Sequence, residues 1–340
     1  MKKRMLEILL LIAIVVGMNY VYRLLFWEKD LNKYSPEVEL IRDVIEKEPQ
    51  ILYLGESSNI SYHDTDEDKR KISDFIADYF PGKKMTDLTK RAGHAGIYYT
   101  YLKNLPKNSD LDIVIVTLNL RSFDAEWIYS ELETSLQQSL VMLRKNPPLV
   151  NRFLLSFKAY DIKTKTERSK QIKRYFNHHH LHFPYDFPYN TVAEWDTEQY
   201  KKGVYDENGE RNETLSILAC SYVKTYGFHI NEGENPRLKQ FDEIVQLARR
   251  RGWKLVFNLL PENTERAREL VGEDLVYLMR QNRDFLVNYY TQMGVLVIDN
   301  LEILPNDQFI DQDWTTEHYY EKGRKMVAER VAEGMMNAQY

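Results

Sequence analysis

The sequence contains a single cysteine, Cys220, and this scarcity excludes two kinds of structure. An intrachain disulfide needs two cysteines, and a cysteine-based zinc site needs several. The scarcity does not decide the compartment, because a protein outside the cytoplasm does not require disulfides.

The sequence also lacks a surplus of basic residues, internal repeats and low-complexity tracts. Charged residues make up 29% of the 340 residues, and the formal net charge is −5, so nothing indicates nucleic-acid binding. A chain of this length buries a substantial core, either as one large domain or as one domain with a big insertion.

One long hydrophobic run is present, and it lies at the N-terminus. The basic cluster 2–4 is followed by 18 mostly apolar residues from Met5 to Tyr22, just enough to cross a bilayer. A cleaved signal peptide is the competing interpretation, but no small-x-small cleavage pattern follows the run. We expect an uncleaved anchor at 1–30, with the basic cluster inside and the rest of the chain on the extracytoplasmic side.

The stretch Ile51–Leu54 predicts a buried strand that stops at Gly55, and Ser57 follows two residues later. Further strands are predicted at 85–88, 112–118, 254–260 and 295–298, with helical patterns between them. This alternation predicts an α/β fold, a three-layer α/β/α sandwich around a flavodoxin-like parallel sheet.

The regular alternation is interrupted from about 123 to 236. The stretch 175–185 is polar, rich in aromatics and histidine, and broken by proline, which is typical of an insertion or lid over a site. We therefore expect one domain at 31–340 with an insertion at about 123–236. The chain has 24 Tyr, 14 Phe and 5 Trp, a density that suits binding clefts, although most individual rings are expected in the core.

Four short blocks follow predicted strands or precede a predicted helix. In chain order they are Gly55-Glu56-Ser57, the loop from Gly93 to Gly96, Asn119, and His318 followed by Gly323. This order resembles the SGNH (GDSL-like) hydrolase superfamily, over about 51–122 and 250–335. Glu56 stands where that family usually has Asp.

The resemblance implies a serine esterase site. Ser57 would be the nucleophile and His318 the base that takes its proton. The oxyanion would be held by the Ser57 amide, by a backbone amide of the glycine loop, and by the Asn119 side chain. Gly93 is our first choice for the loop donor and Gly96 the second.

The acid that orients His318 is not at its usual place. The family has it three residues before the histidine, and this chain has Thr315 there. The nearby carboxylates are Asp311, Asp313 and Glu317, and we expect Asp313 to act. If none does, the site is a Ser–His dyad or inactive.

Structural interpretations compete with these roles. Ser57 also suits a helix cap, Asn119 a turn, and His318 an ordinary surface or core position. Histidines 178, 179, 180 and 182 also raise the question of a metal site, but consecutive histidines cannot all face one ion. We expect an exposed aromatic lid there, no metal and no cofactor.

A membrane-tethered SGNH domain resembles the accessory acyltransferases of cell-envelope polymers, which work beside a multi-spanning membrane-bound O-acyltransferase. The resemblance thus implies an acyl donor, a glycan or small ester substrate, and that membrane partner. The alternatives are a free-standing esterase for small esters and a catalytically inactive scaffold that binds glycan or a membrane partner.

The basic cluster before the apolar run predicts the topology of the chain. A reporter fused after Tyr340 should be active only outside the cytoplasm. Activity of a cytoplasm-dependent reporter at the same position would contradict the predicted orientation.

Overall fold

The computed structural model describes residues 2–35, 37–141, 143, 148–157 and 159–340. The chain divides into two compact units, and each is described by itself. Unit 1 comprises Met1–Asp43 and Ser130–Ser169, and unit 2 comprises Val44–Tyr129 and Lys170–Tyr340. The predicted domain boundaries, 1–30 and 31–340 with an insertion at about 123–236, stay a prediction.

Unit 2 is built on five parallel strands in the order β2-β1-β3-β4-β5. The strands are β1 Ile51–Gly55, β2 Met85–Thr89, β3 Ile113–Leu118, β4 Lys254–Leu259 and β5 Leu296–Asp299. This order is that of a flavodoxin-like sheet, so the predicted fold class is confirmed. All five predicted strands are present.

The helices follow the predicted alternation outside the segment at about 123–236. They are α1 Lys2–Leu25, α2 Trp27–Tyr34, α3 Glu37–Lys47, α4 Ser57–Ile60, α5 Ile72–Asp78, α6 Ala95–Asn104, α7 Ala125–Ile128, α8 Leu132–Val141, α9 Pro148–Ser156, α10 Lys165–His178, α11 Val192–Lys202, α12 Glu213–Tyr226, α13 Pro236–Arg251, α14 Thr264–Leu270, α15 Glu273–Gln292 and α16 Glu321–Asn337.

The two faces of the sheet carry different helices because strand side chains alternate in direction. Tyr53 and Ile115 belong to the apolar cluster that includes α5 and α16. Phe257, from the opposite face of β4, lies with its ring centroid 5.3 Å from that of Phe241 in α13. The sheet is thus covered on both sides, which explains why β1 and β3 are buried along their whole length.

Two helical predictions need correction. The sequence pattern at 265–290 predicts one helix, but the structure has two, α14 and α15. Gly272 lies between them with φ of 127°, which a helix does not allow. The described residues between β3 and α13 form helices α7 to α12, whereas the sequence pattern predicts only two helical segments there, near 128–144 and 150–157. Arg144, the end of the first of these, lies outside the described residues.

A buried arginine ties the loop after α4 to the start of α16. The Arg324 side chain is fully buried and pairs with Asp66 at 2.8 Å. It also donates to the carbonyl oxygens of Ser61, Asp68 and Tyr319. Since Ser57 begins α4 and His318 precedes Tyr319, this arginine fixes both segments that carry the candidate site.

Among the described residues, α1 in unit 1 is the single helix whose length and composition suit a membrane crossing. It has 24 residues, and its apolar side chains are almost all exposed. A signal sequence near the N-terminus has the same properties.

Candidate active site

The candidate site lies at the carboxyl edge of the sheet in unit 2. Ser57 is the first residue of α4, directly beyond β1, and Asn119 follows β3 immediately. β1 and β3 are neighbours in the sheet, so both residues emerge at the same edge, where open α/β sheets place their ligands. His318 arrives from the segment before α16.

Ser57, His318 and Asp311 form a continuous chain of hydrogen bonds. Ser57 Oγ lies 2.9 Å from His318 Nε2, and His318 Nδ1 lies 2.6 Å from Asp311 Oδ2. The Thr316 hydroxyl also donates to that Asp311 oxygen, at 2.5 Å. These distances meet the requirement for proton transfer from a serine to a histidine that a carboxylate holds in one tautomer.

The carboxylate at His318 is that of Asp311, which corrects the choice of Asp313. The pairing of Phe309 with Tyr319, together with the bond from Ile310 N to His318 O, sets Asp311 opposite His318 across a loop. Asp313 falls in the exposed part of that loop. Asp311 is one of the three carboxylates that the sequence offers, and the strand-like pairing at the base of the loop selects it.

Glu56 touches the proposed nucleophile directly. Its carboxylate accepts from the Ser57 hydroxyl at 2.9 Å and from the Ser58 amide at 3.1 Å. The hydroxyl has one proton, so it donates either to Glu56 or to His318 at any moment. Glu56 therefore both caps α4 and competes with the base.

The glycine loop does not offer the donors that the sequence argument assigned to it. The Gly93 amide donates to Lys90 O at 2.9 Å, and the Gly96 amide donates to His94 Nδ1 at 3.2 Å. A Cβ on Gly93 would lie 2.9 Å from the Tyr98 hydroxyl, so close packing explains this glycine. The structure therefore does not support Gly93 or Gly96 as an oxyanion donor.

Asn119 and the Ser57 amide keep donors that suit an oxyanion. Asn119 Oδ1 accepts from the Ser122 amide at 3.2 Å, which turns the side chain and leaves its Nδ2 group as a donor. Neither this group nor the Ser57 amide has a hydrogen-bond partner among the described residues. Both follow strands that lie side by side, so the two donors emerge at the same edge of the sheet.

Arg121 holds the loop that carries His318, and sequence analysis missed it. Its guanidinium donates to the Thr315 carbonyl and, at 2.5 Å, to the fully buried carboxylate of Glu317. It also lies over the Trp127 ring, 4.7 Å from the centroid. Arg121 comes two residues after Asn119, so it links the two loops across the site. The residues around Arg121 do not indicate that its partner, Glu317, lies 196 residues away in the sequence.

A second buried carboxyl group, Glu262, lies in the same region. The Tyr226 hydroxyl donates to it at 2.6 Å. Burial raises the pKa of Glu262 to about 7, although that bond and the charge of Arg121 act in the opposite direction. Burial likewise raises the pKa of Glu317 well above its ordinary value, against the attraction of Arg121.

The histidines of the predicted lid have structural partners. His179 Nε2 accepts from the His229 amide at 3.1 Å, and His229 Nε2 accepts from the His182 amide at 2.9 Å. Burial lowers the pKa of His179 to about 4, which suits an acceptor. Within the described ranges, no group of three or more metal-ligating side chains converges.

The geometry predicts different effects for two nearby aspartates. Asp311→Asn should slow the reaction of Ser57 with a fluorophosphonate probe by about 10²–10⁴, because the amide no longer stabilises the imidazolium. Asp313→Asn, the matched control two residues away, should react like the parent chain. Equal losses in both variants, or a loss in Asp313→Asn alone, would contradict the assignment to Asp311.

The raised pKa of Glu262 predicts a pH-dependent stability. The ordinary value is 4.5 and the folded value about 7, so folding stability falls as pH rises through this interval and the cost persists above it. At about 1.4 kcal/mol per pKa unit, Glu262→Gln should stabilise the chain by a few kcal/mol at pH 8 and have little effect at pH 4.5.

Thermal unfolding of Glu262→Gln at both pH values checks this expectation. The control is Glu210→Gln, since Glu210 is exposed and should show no such difference. A Glu262→Gln effect that is the same at both pH values would show that Glu262 ionises without cost.

No protein-family model and no curated protein matches the sequence. Among solved structures, the chain is similar to a lipase/acylhydrolase from Enterococcus faecalis, with 9% identity, a TM-score of 0.37, and coverage of 85% of this chain and 96% of that one. It is also similar to an extracellular lipase from Streptomyces rimosus, with 11% identity, a TM-score of 0.37, and coverage of 84% and 98%.

These likenesses concern the fold alone, so conclusions about activity depend on the residues of this chain. The sheet order and the placing of Ser57 and Asn119 beyond neighbouring strands agree with the fold that the sequence predicts.

Proposed function

We propose that this protein is a membrane-anchored serine esterase or O-acyltransferase that acts on a cell-envelope or exported polysaccharide. The observation that carries the proposal is the hydrogen-bonded chain from Ser57 through His318 to Asp311. A serine hydroxyl is a weak nucleophile, and this arrangement is what activates it.

The first half of the reaction transfers an acyl group to Ser57. As Ser57 Oγ attacks the acyl carbonyl, His318 Nε2 takes the hydroxyl proton and Asp311 stabilises the imidazolium. The Ser57 amide and Asn119 Nδ2 donate to the oxyanion of the tetrahedral intermediate. When this collapses, the imidazolium returns its proton to the departing oxygen, and an acyl-serine ester remains.

The second half removes the acyl group. His318, again neutral, takes a proton from water or from a glycan hydroxyl, whose oxygen attacks the acyl-serine carbonyl through the same oxyanion site. Water gives hydrolysis and a glycan hydroxyl gives transfer. Every group in both steps belongs to this chain or to its substrates.

The membrane location is supported by α1 and the basic cluster at its start. The helix has 24 residues, begins with Lys2, Lys3 and Arg4, and exposes apolar side chains along its length. Such a helix is stable in lipid, and the basic cluster favours an N-terminus inside. The catalytic unit would then lie on the extracytoplasmic side.

A polysaccharide substrate is supported by aromatic side chains outside the core. Trp314 lies in the loop between Asp311 and His318, and its side chain is 72% exposed. A further group of rings is gathered in the segment between β3 and β4 and beside α15, namely Phe183, Tyr185, Phe187, Tyr189 and Tyr277. Sugar rings pack on aromatic faces, and Trp314 would contact a glycan that approaches His318.

The partner implied by this function is a multi-spanning membrane O-acyltransferase that supplies the acyl group. Such a donor would remain in the bilayer, and α1 would keep this chain beside it. Nucleic acid and cofactors have no part in the proposed chemistry.

The decisive experiment incubates the full-length chain in detergent with an activated acetyl ester and measures intact mass. An acetyl adduct on Ser57, absent in Ser57→Ala, is expected because the acyl-serine is an obligatory intermediate. Ser58→Ala is the matched control, since Ser58 is buried next to Ser57 and donates to Glu56 only through its backbone.

The decay of the adduct then separates the alternatives. Faster loss with oligosaccharide acceptors, together with acetylated acceptor, supports transfer to a glycan. Loss to water at an unchanged rate indicates a free-standing esterase of small esters. A folded chain with neither adduct nor ester cleavage would contradict catalysis and favour an inactive scaffold.

A further inference from the structure

Helix α9 in unit 1 exposes two large aromatic side chains that the proposed chemistry does not use. Phe153 is 61% exposed and Phe157 is 69% exposed, and their ring centroids lie 4.8 Å apart. Phe153 lies in α9 and Phe157 directly follows its last residue, and the short distance between the rings places them on the same side. Exposing two adjacent phenyl rings to water is unfavourable, so something apolar is expected to cover them.

We propose that α9 is a second membrane element, which lies at the bilayer surface beside α1 and inserts Phe153 and Phe157 into the lipid. This proposal goes beyond catalysis and rests only on the membrane crossing by α1.

The contact between α9 and α1 sets the depth of α9. The Leu149 amide, near the start of α9, donates to Asn19 Oδ1 in α1 at 3.4 Å. The first amides of a helix lack partners within it, and an asparagine inside an apolar helix lacks water. This bond pairs the Leu149 amide with the Asn19 Oδ1 oxygen. Its contribution to stability is greatest where no water is present.

Asn19 lies at a depth that belongs to the lipid. The 24 residues of α1 span about 36 Å, and the hydrocarbon core is about 30 Å thick. Asn19 is six residues before Leu25, or about 9 Å from the end of the helix. The helix is thus about 6 Å longer than the hydrocarbon core. Even if all of this extra length extended beyond the core at the Leu25 end, Asn19 would remain inside the hydrocarbon.

Polar contacts then fix α9 at the boundary. Arg152 forms an ion pair with Asp30 of α2, and the Tyr22 hydroxyl donates to Asp30 at 2.5 Å. Arg152 also lies over the Tyr22 ring, 5.9 Å from its centroid. Arginine and tyrosine both keep a polar end toward water with an apolar body in lipid, which is the chemistry of the interface.

The two phenylalanines complete an interfacial arrangement. Arg152 is directed to Asp30, whereas the neighbouring Phe153 side chain is not buried against the protein. Since the start of α9 contacts a residue at hydrocarbon depth, lipid is the apolar medium that reaches these rings. Short amphipathic helices bind the headgroup boundary in this way.

The test places fluorescent labels on the full-length chain in vesicles of phosphatidylethanolamine and phosphatidylglycerol. Cys220 is the only cysteine, so Cys220→Ser gives a background for Phe153→Cys and Phe157→Cys. Leu11→Cys, in the middle of α1, is the lipid control. Ile217→Cys in α12 is the control for an exposed apolar side chain outside unit 1.

We expect lipids with brominated acyl chains to quench the labels at 153 and 157 as they quench the label at Leu11. Iodide in the water should quench them several-fold less than it quenches the label at Ile217. Phe157 lies beyond the last residue of α9, so its label reports independently if Phe153→Cys disturbs the helix.

Three results would overturn the proposal. Iodide quenching at 153 and 157 equal to that at Ile217 would place the rings in water. Labels shielded from both quenchers would indicate a second copy of the chain on this face. A Leu11 label that brominated lipid does not quench would show that α1 does not cross the membrane. Acetylation of Ser57 in the same vesicles tests the catalytic proposal separately.

Discussion

Ser57 and His318 are 261 residues apart in the chain, and two buried arginines hold their loops together. Arg324 joins the loop after Ser57 to the start of α16 through Asp66 and several carbonyl oxygens. Arg121 joins the loop after Asn119 to the segment before His318. A buried charge without its partner costs about 3–5 kcal/mol, so each arginine makes one arrangement of these loops much more stable than the alternatives. The geometry of the site depends on this constraint.

The carboxyl groups around the site need a separate explanation. Glu56, Glu262 and Glu317 are all buried, and Arg121 is the cation paired with one of them. If all three were charged, their field would oppose the oxyanion that the reaction forms. The raised pKa of Glu262 favours its neutral form, and Arg121 offsets the charge of Glu317, so both effects reduce this opposition. In the proposed reaction, burial of Glu262 would therefore help catalysis by limiting negative charge near the oxyanion.

The sheet was predictable because its strands are short apolar runs that stop at clear signals, such as Gly55 after β1. The order of Ser57, Asn119 and His318 was enough to predict a site at one edge. The sequence could name Asp311 as a candidate but could not select it from Asp313 and Glu317, since its place depends on the pairing of Phe309 with Tyr319.

Three other features could not be predicted from the sequence because they depend on contacts made in the folded chain. Helices α10 and α11 are strongly polar in sequence and bury few side chains, so no apolar stripe indicates them. The glycine loop contains residues of the expected type, but its amides are used within the loop itself. Arg121 has no local signal, because its partners come from the other end of the chain.

The pairing at the base of the Asp311–His318 loop allows the tip of the loop to vary without moving the acid and the base. Phe309 and Tyr319 close the loop below the acid and the base, whereas Trp314 lies near its tip. Residues at the tip are therefore free to change in number and type while the base retains the contact between Asp311 and His318. In proteins descended from such a chain, the preferred acyl acceptor would then change while the Ser–His–Asp contacts remain. The number of residues between the acid and the histidine would differ among these descendants.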